Sequence, residues 1–125
     1  EWERAAGGAS GRAYPWGDEF DGERCVAGAD GPAPAASFLA GASPHSLLHC
    51  AGNVREWCGD LYDASWYTRA ARGYPVGPAR GDHRAVRGGS FLSPEETLRV
   101  QHRDHAAPQE VAADLGFRVA RDWVD

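Results

Sequence analysis

Sixteen glycines and eight prolines are spread along 125 residues with no repeating period. Glycine opens left-handed backbone, and proline fixes φ while removing a donor. A chain punctuated this often sustains neither long helices nor wide sheets. The lack of a period excludes collagen, and an apolar fraction of 42% supplies a core, which excludes wholesale disorder. The length allows one domain. The expected architecture is α+β, with short strands and long ordered loops. Such loops must satisfy their own backbone polar groups. Arg forks, Asp and Asn side chains and bound cations are the usual means. All thirteen basic residues are Arg, which suits bracing of this kind, although a GC-rich coding bias accounts for the same usage.

Charge and cysteine content exclude several function classes. The net charge is −5 and the basic residues form no patch, so nucleic acid is not an expected partner. No apolar run approaches a membrane span, so no membrane association is expected. Three cysteines, Cys25, Cys50 and Cys58, cannot all pair within one molecule, and their spacing is not that of a zinc site. They read as buried thiols, with a Cys50–Cys58 disulfide left open. The chain begins at Glu1 without a Met, as a fragment or processed product would. The compartment stays open, the cytoplasm being the favoured reading.

Periodicity places the elements. "EWERAA" (1–6) reads as a helix end stopped by Gly7 and Gly8. "YPWGDEFDGE" (14–23) reads as a loop anchored by aromatics, and "APAASF" (33–38) as a short extended piece. "NVREWCGDLY" (53–62) alternates, with Val54, Glu56, Cys58 and Asp60 on one face and Arg55, Trp57 and Gly59 on the other. "HRAVRGGSFL" (83–92) reads as a strand entering a Gly-Gly bend. "TLRVQHRDH" (97–105) reads as a further extended segment. "GFRVARDW" (116–123) alternates cleanly, which predicts Phe117, Val119 and Trp123 facing inward, and Trp16 and Trp57 are read as core.

Taken in order, "EWERAA", "YPWGDEF", "APAASF", "AGNVREWCGDLYD", "GP.RG..R.VRGGSF" and "LGFRVARD" resemble the formylglycine-generating enzyme (sulfatase-modifying factor) family. The resemblance covers essentially the whole chain. It implies an irregular, loop-rich, C-type-lectin-like fold with short antiparallel strands. Residues 1–125 would then be the C-terminal portion of such a domain, its N-terminal part missing. The family's founding enzymes hold copper(I) with two cysteines that follow the "RGGS" strand. The matching positions here are Ser93 and Leu98. A hydroxyl and an isobutyl group cannot replace soft sulfur donors. The resemblance therefore implies a chain that is not a competent formylglycine-generating oxidase, with copper and iron not expected as cofactors.

The resemblance also implies a structural calcium held by His49, Gly52, Val54 and Glu56, through backbone carbonyls of Gly52 and Val54 and the Glu56 carboxylate. His49 departs from the usual Asn or Asp, and an imidazole is a poor calcium ligand. The competing reading pairs Glu56 with an Arg and gives Asn53 a local turn. A second family calcium site, near Cys25 and Asp30, lacks its Asn and is expected to be lost. "HRDH" (102–105) brings His102 and His105 close in sequence, but i and i+3 on a strand face opposite ways, so a shared metal needs a bend. With His83 and His49 a three-histidine iron site is conceivable. The plainer reading makes these histidines loop polar groups, with Arg99 and Arg103 bracing loops through Glu95, Glu96 or Asp114.

Two functions follow as expectations. One is a non-catalytic recognition or sensor domain within a larger protein, taking a protein or peptide ligand or a neighbouring effector domain. Its ligand face would combine segment 91–114 with loop 63–80, using Trp66, Tyr67, Tyr74, Ser93, Arg99, His102, Arg103 and His105. The alternative is a non-haem iron (sulfoxide-synthase-like) or copper oxidoreductase whose metal ligands are shared with another domain.

Overall fold

The computed structural model describes residues 1–69 and 77–121. Helix α1 (Trp2–Gly7) ends where Gly8 turns to φ 68°, as the Gly-Gly pair predicts. Four short strands follow: β1 (Arg55–Leu61), β2 (Arg84–Arg87), β3 (Asp104–Ala106) and β4 (Leu115–Gly116). A one-turn helix, α2 (Trp66–Arg69), separates β1 from β2. The strands form one sheet in the order β3-β2-β1-β4. Glu56 lies opposite Arg87 and Trp57 opposite Val86 in an antiparallel pair, with a bulge before Leu61 meets Arg84. Val86 lies opposite Asp104 across the β2–β3 pair. The β1–β4 pair departs from the antiparallel expectation: it is parallel, with Arg55 beside Leu115.

Loops make up most of the molecule and are closed by buried polar groups. Asn53, at φ 67°, is the hub. Its Oδ1 accepts from Ala33 N–H at 2.8 Å, its N–H donates to Val26 O, and its carbonyl accepts from Phe91 N–H. Three segments distant from it in sequence thus converge on one residue, through its side chain and its backbone, where sequence had suggested only a local turn. The core beneath them is small. Tyr14, Cys25, Ala51 and Leu98 form one cluster and Ala6, Cys50 and Val100 another. Trp16 stacks on Tyr14 with ring centroids 5.5 Å apart.

Two expectations are corrected. Segment 97–105 is not continuously extended: Glu95–Leu98 is a 3-10 turn and pairing begins only at Asp104. The turn places Leu98 in the core at 0% exposure. Phe117 and Val119 are 73% and 87% exposed rather than inward. The alternation is real but its phase is inverted, because Arg118 turns in to meet Glu56 and so aims its neighbours outward. Trp123 lies outside the described residues. Trp57 is half-buried. No described helix is long and apolar enough to cross a membrane.

Candidate functional site

The site grows out of the Gly88–Gly89 bend that ends β2. Both glycines have positive φ, 91° and 62°. A Cβ at Gly89 would lie 2.6 Å from Leu98 Cδ2 and 3.3 Å from Ser93 Cβ, so the two positions that carry cysteine in the resembled enzymes flank one glycine. The fold therefore still brings these positions together. Their chemistry has changed. Leu98 is sealed in the core, and Ser93 Oγ accepts from Ser90 N–H at 2.8 Å. Ser90 Oγ lies 3.3 Å from Ser93 Oγ and accepts from Leu92 N–H. Ser93 caps a turn, and no thiolate is present to grip copper.

Beside this turn lies a half-open cavity of about 300 Å³, lined in part by Arg55, Ser93, Thr97, His102, Asp104 and Asp114. Arg55 organises its acidic side. Its Nε and Nη2 donate to the two oxygens of Asp114 at 3.0 and 3.2 Å, and Nη2 also reaches Glu110 at 3.1 Å. Asp104 sits farther off, 3.8 Å from Nη1. Burial pushes Asp114 up, but hydrogen bonds from Arg55 and Ser90 outweigh it and hold the carboxyl below its ordinary value. The hydrogen bonds that Arg55 donates to Asp114 raise the arginine's own pKa against the cost of burial. Of the side chains singled out in the sequence, Ser93 and His102 meet here. Arg55 did not stand out there; an arginine on a strand face otherwise carrying Trp57 was its only signal.

The remaining predicted residues divide among other places. Tyr67 and Arg103 meet directly, the guanidinium 3.8 Å over the ring. Trp66 joins them around a second, smaller hollow. Arg99 covers Tyr14 at 5.8 Å. Neither Arg99 nor Arg103 pairs with Asp114, whose partner is Arg55, because the 3-10 turn carries Arg99 back to the core tyrosine. His105 stacks on Tyr62 at 4.5 Å and meets His83 edge-on at 5.0 Å, while His102 faces the larger cavity. His49 lies elsewhere, its Nε2 3.2 Å from Pro34 O. Among the described residues no three His, Cys, Asp or Glu side chains are placed to hold a metal. Tyr74 lies outside the described residues.

Two of the four expected calcium residues, Glu56 and His49, meet Arg118 instead. Glu56, 4% exposed, takes Arg118 Nη2 on Oε1 at 2.5 Å and Arg118 Nε on Oε2 at 2.7 Å. Trp2 Nε1 donates to the same Oε2 at 2.8 Å. Arg118 Nη2 also reaches the carbonyls of Leu48 (2.9 Å) and His49 (3.4 Å). Gly52 is held by backbone: a Cβ there would lie 2.3 Å from Val26 O. Val54 is half-buried at the entry to β1. With both Glu56 oxygens engaged by Arg118 and Trp2 and the His49 imidazole turned to Pro34, these two side chains as placed do not suit a hard divalent ion. The three cysteines are free, and burial pushes each thiol up to about 11.

Comparison with known proteins agrees with the fold. The family model described as "Sulfatase-modifying factor enzyme 1-like domain" matches residues 1–123. The chain is 37% identical to the formylglycine-generating enzyme of Streptomyces coelicolor across 98% of its own length and 45% of that protein. It is 38% identical to the serine/threonine-protein kinase pkn1 of Chlamydia caviae, across 97% of the chain and 20% of the kinase. Among solved structures, Treponema denticola variable protein 1 superposes with a TM-score of 0.70 at 26% identity, over 94% of this chain and 43% of that one. The chain thus spans less than half the length of each of these relatives.

Proposed function

The chain belongs to the sulfatase-modifying factor enzyme 1-like family, and from that premise we propose that it is a non-catalytic recognition domain whose ligand is a protein or peptide. One observation carries the proposal: Leu98 is locked in the core and Ser93 Oγ is spent on a turn, at the two positions where a family oxidase needs thiolates. What remains beside them is a cavity of about 300 Å³ with hydroxyls, one imidazole and two carboxylates, of which Arg55 braces Asp114, and this suits binding a polar group. Asp104, only loosely held by Arg55, and His102 are two side chains on its wall with hydrogen-bonding capacity left for a ligand. In this reading the half-buried Arg118 supplies the positive charge expected of calcium, and the domain is built to work without a metal.

Panning a random peptide library against the purified domain tests the proposal. The expected outcome is a family of mutually competing peptides whose binding weakens on His102→Ala or Asp104→Ala. No enriched sequence, or robust thiol oxidation on adding copper or iron, would overturn it.

A further inference from the structure

The smaller hollow, of about 70 Å³, holds an unresolved demand for hydrogen bonds. Two residues on its wall carry buried nitrogen donors without a partner among the described residues: Arg87 Nε and Trp66 Nε1. The Arg87 side chain is 6% exposed. Its Nη2 is committed to Glu3 at 2.6 Å and Val100 O at 2.7 Å, which leaves Nε over. A buried donor left dry is costly, and native structures rarely keep one without a reason. Arg87 lines the larger cavity as well, but the smaller hollow is where both residues meet, and two such donors beside one hollow point to an acceptor within it.

Size, shape and charge narrow the acceptor. The hollow is several times the roughly 10–15 Å³ of probe-occupied volume that one water needs. Trp2, Tyr62 and Tyr67 supply aromatic surface on its wall, and Arg103 lies 3.8 Å over the Tyr67 ring. Flat surfaces of this kind favour a planar group. The charge balance opposes an anion: Glu1, Glu3, Asp60 and Asp63 line the hollow against Arg87 and Arg103. An uncharged planar oxygen acceptor meets all three conditions. We propose that this hollow receives the carbonyl oxygen of a peptide amide, from the main chain or an Asn or Gln side chain of the bound ligand. The proposal rests on the recognition reading above and adds to it a second, amide-reading subsite.

Nuclear magnetic resonance on the full chain labelled with nitrogen-15 tests it. The indole N–H of Trp66 is assigned through Trp66→Phe, and N-acetylglycinamide and sodium acetate are titrated separately at matched ionic strength. The expected result is a saturable shift of the Trp66 indole and Arg87 Nε–H signals with the amide and none with acetate. Binding of the amide to Trp66→Phe, followed by the Arg87 signal, should be roughly 3- to 10-fold weaker, the loss of one neutral hydrogen bond. A flat amide titration, as a merely water-filled hollow would give, overturns the proposal. So does a response to acetate that exceeds the response to the amide. A flat titration leaves recognition through the larger cavity standing, whereas metal-dependent oxidation would overturn the recognition reading without moving these signals.

Discussion

Replacing Glu56 by Gln isolates the cation that this fold holds at its centre. The substitution keeps size and burial but removes the charge and turns an amide donor toward Arg118 or Trp2, both of which are donors. Breaking a fully buried pair by removing one charge costs about 3–5 kcal/mol. Arg118 keeps 30% side-chain exposure, so water reaches part of the freed guanidinium and the lower end applies, about 3 kcal/mol. For a chain of this length each kcal/mol moves Tm by roughly 4 °C, so Glu56→Gln should melt about 12 °C lower. Urea unfolding of Glu56→Gln, Arg118→Gln and the double variant should give a coupling of about 2 kcal/mol between the two sites. Wild-type stability should be the same in chelator and in millimolar calcium. If Glu56→Gln costs under about 0.5 kcal/mol, the pair is not structural. If calcium raises the wild-type Tm by several degrees and that gain disappears in Glu56→Gln, the carboxylate serves a divalent ion and the assignment to Arg118 fails.

Three other outcomes follow from the same geometry. Gly52→Ala places a Cβ 2.3 Å from the Val26 carbonyl at a φ of 75°, and should cost about 3 kcal/mol or prevent folding, read by circular dichroism and urea titration. Asp114 has a depressed folded pKa, so its ionised form stabilises the fold above its unfolded value near 3.9 and that contribution fades as pH falls through the lower folded value. Wild type should therefore exceed Asp114→Asn by about 2 kcal/mol at pH 6, with the gap closing as pH falls through the lowered folded value, and a gap independent of pH would show that charge is not its source. Burial holds Cys25, Cys50 and Cys58 as protonated thiols near pKa 11, so all three should react slowly with Ellman's reagent at pH 8 until urea unfolds the chain.

Strand β1 was legible because its sequence alternates over several residues, and the four-residue β2 because it runs into an unmistakable double glycine. The end of α1 was legible for a similar reason. Phe117 and Val119 misled because alternation fixes which residues share a face but not which face is inside. Here a buried carboxylate, Glu56, drew Arg118 in and reversed the assignment that hydrophobicity favours. Leu98 misled in another way: a 3-10 turn has no long period to detect, and its burial follows from the tertiary position of Gly89. Of the site, Ser93 and His102 were reachable from motifs, as were Trp66, Tyr67 and Arg103. Arg55 as the brace for Asp114 was not, because a contact spanning 59 residues between a strand and a loop leaves no local pattern.

Loading the purified chain with copper(I) and following oxygen uptake on a cysteine-containing peptide probes the central claim most directly. Uptake should match that of free copper at the same concentration, with no saturation in peptide, since neither Ser93 nor Leu98 offers sulfur. Saturable turnover above that background, with stoichiometric copper retained by the protein, would contradict a domain built only to bind.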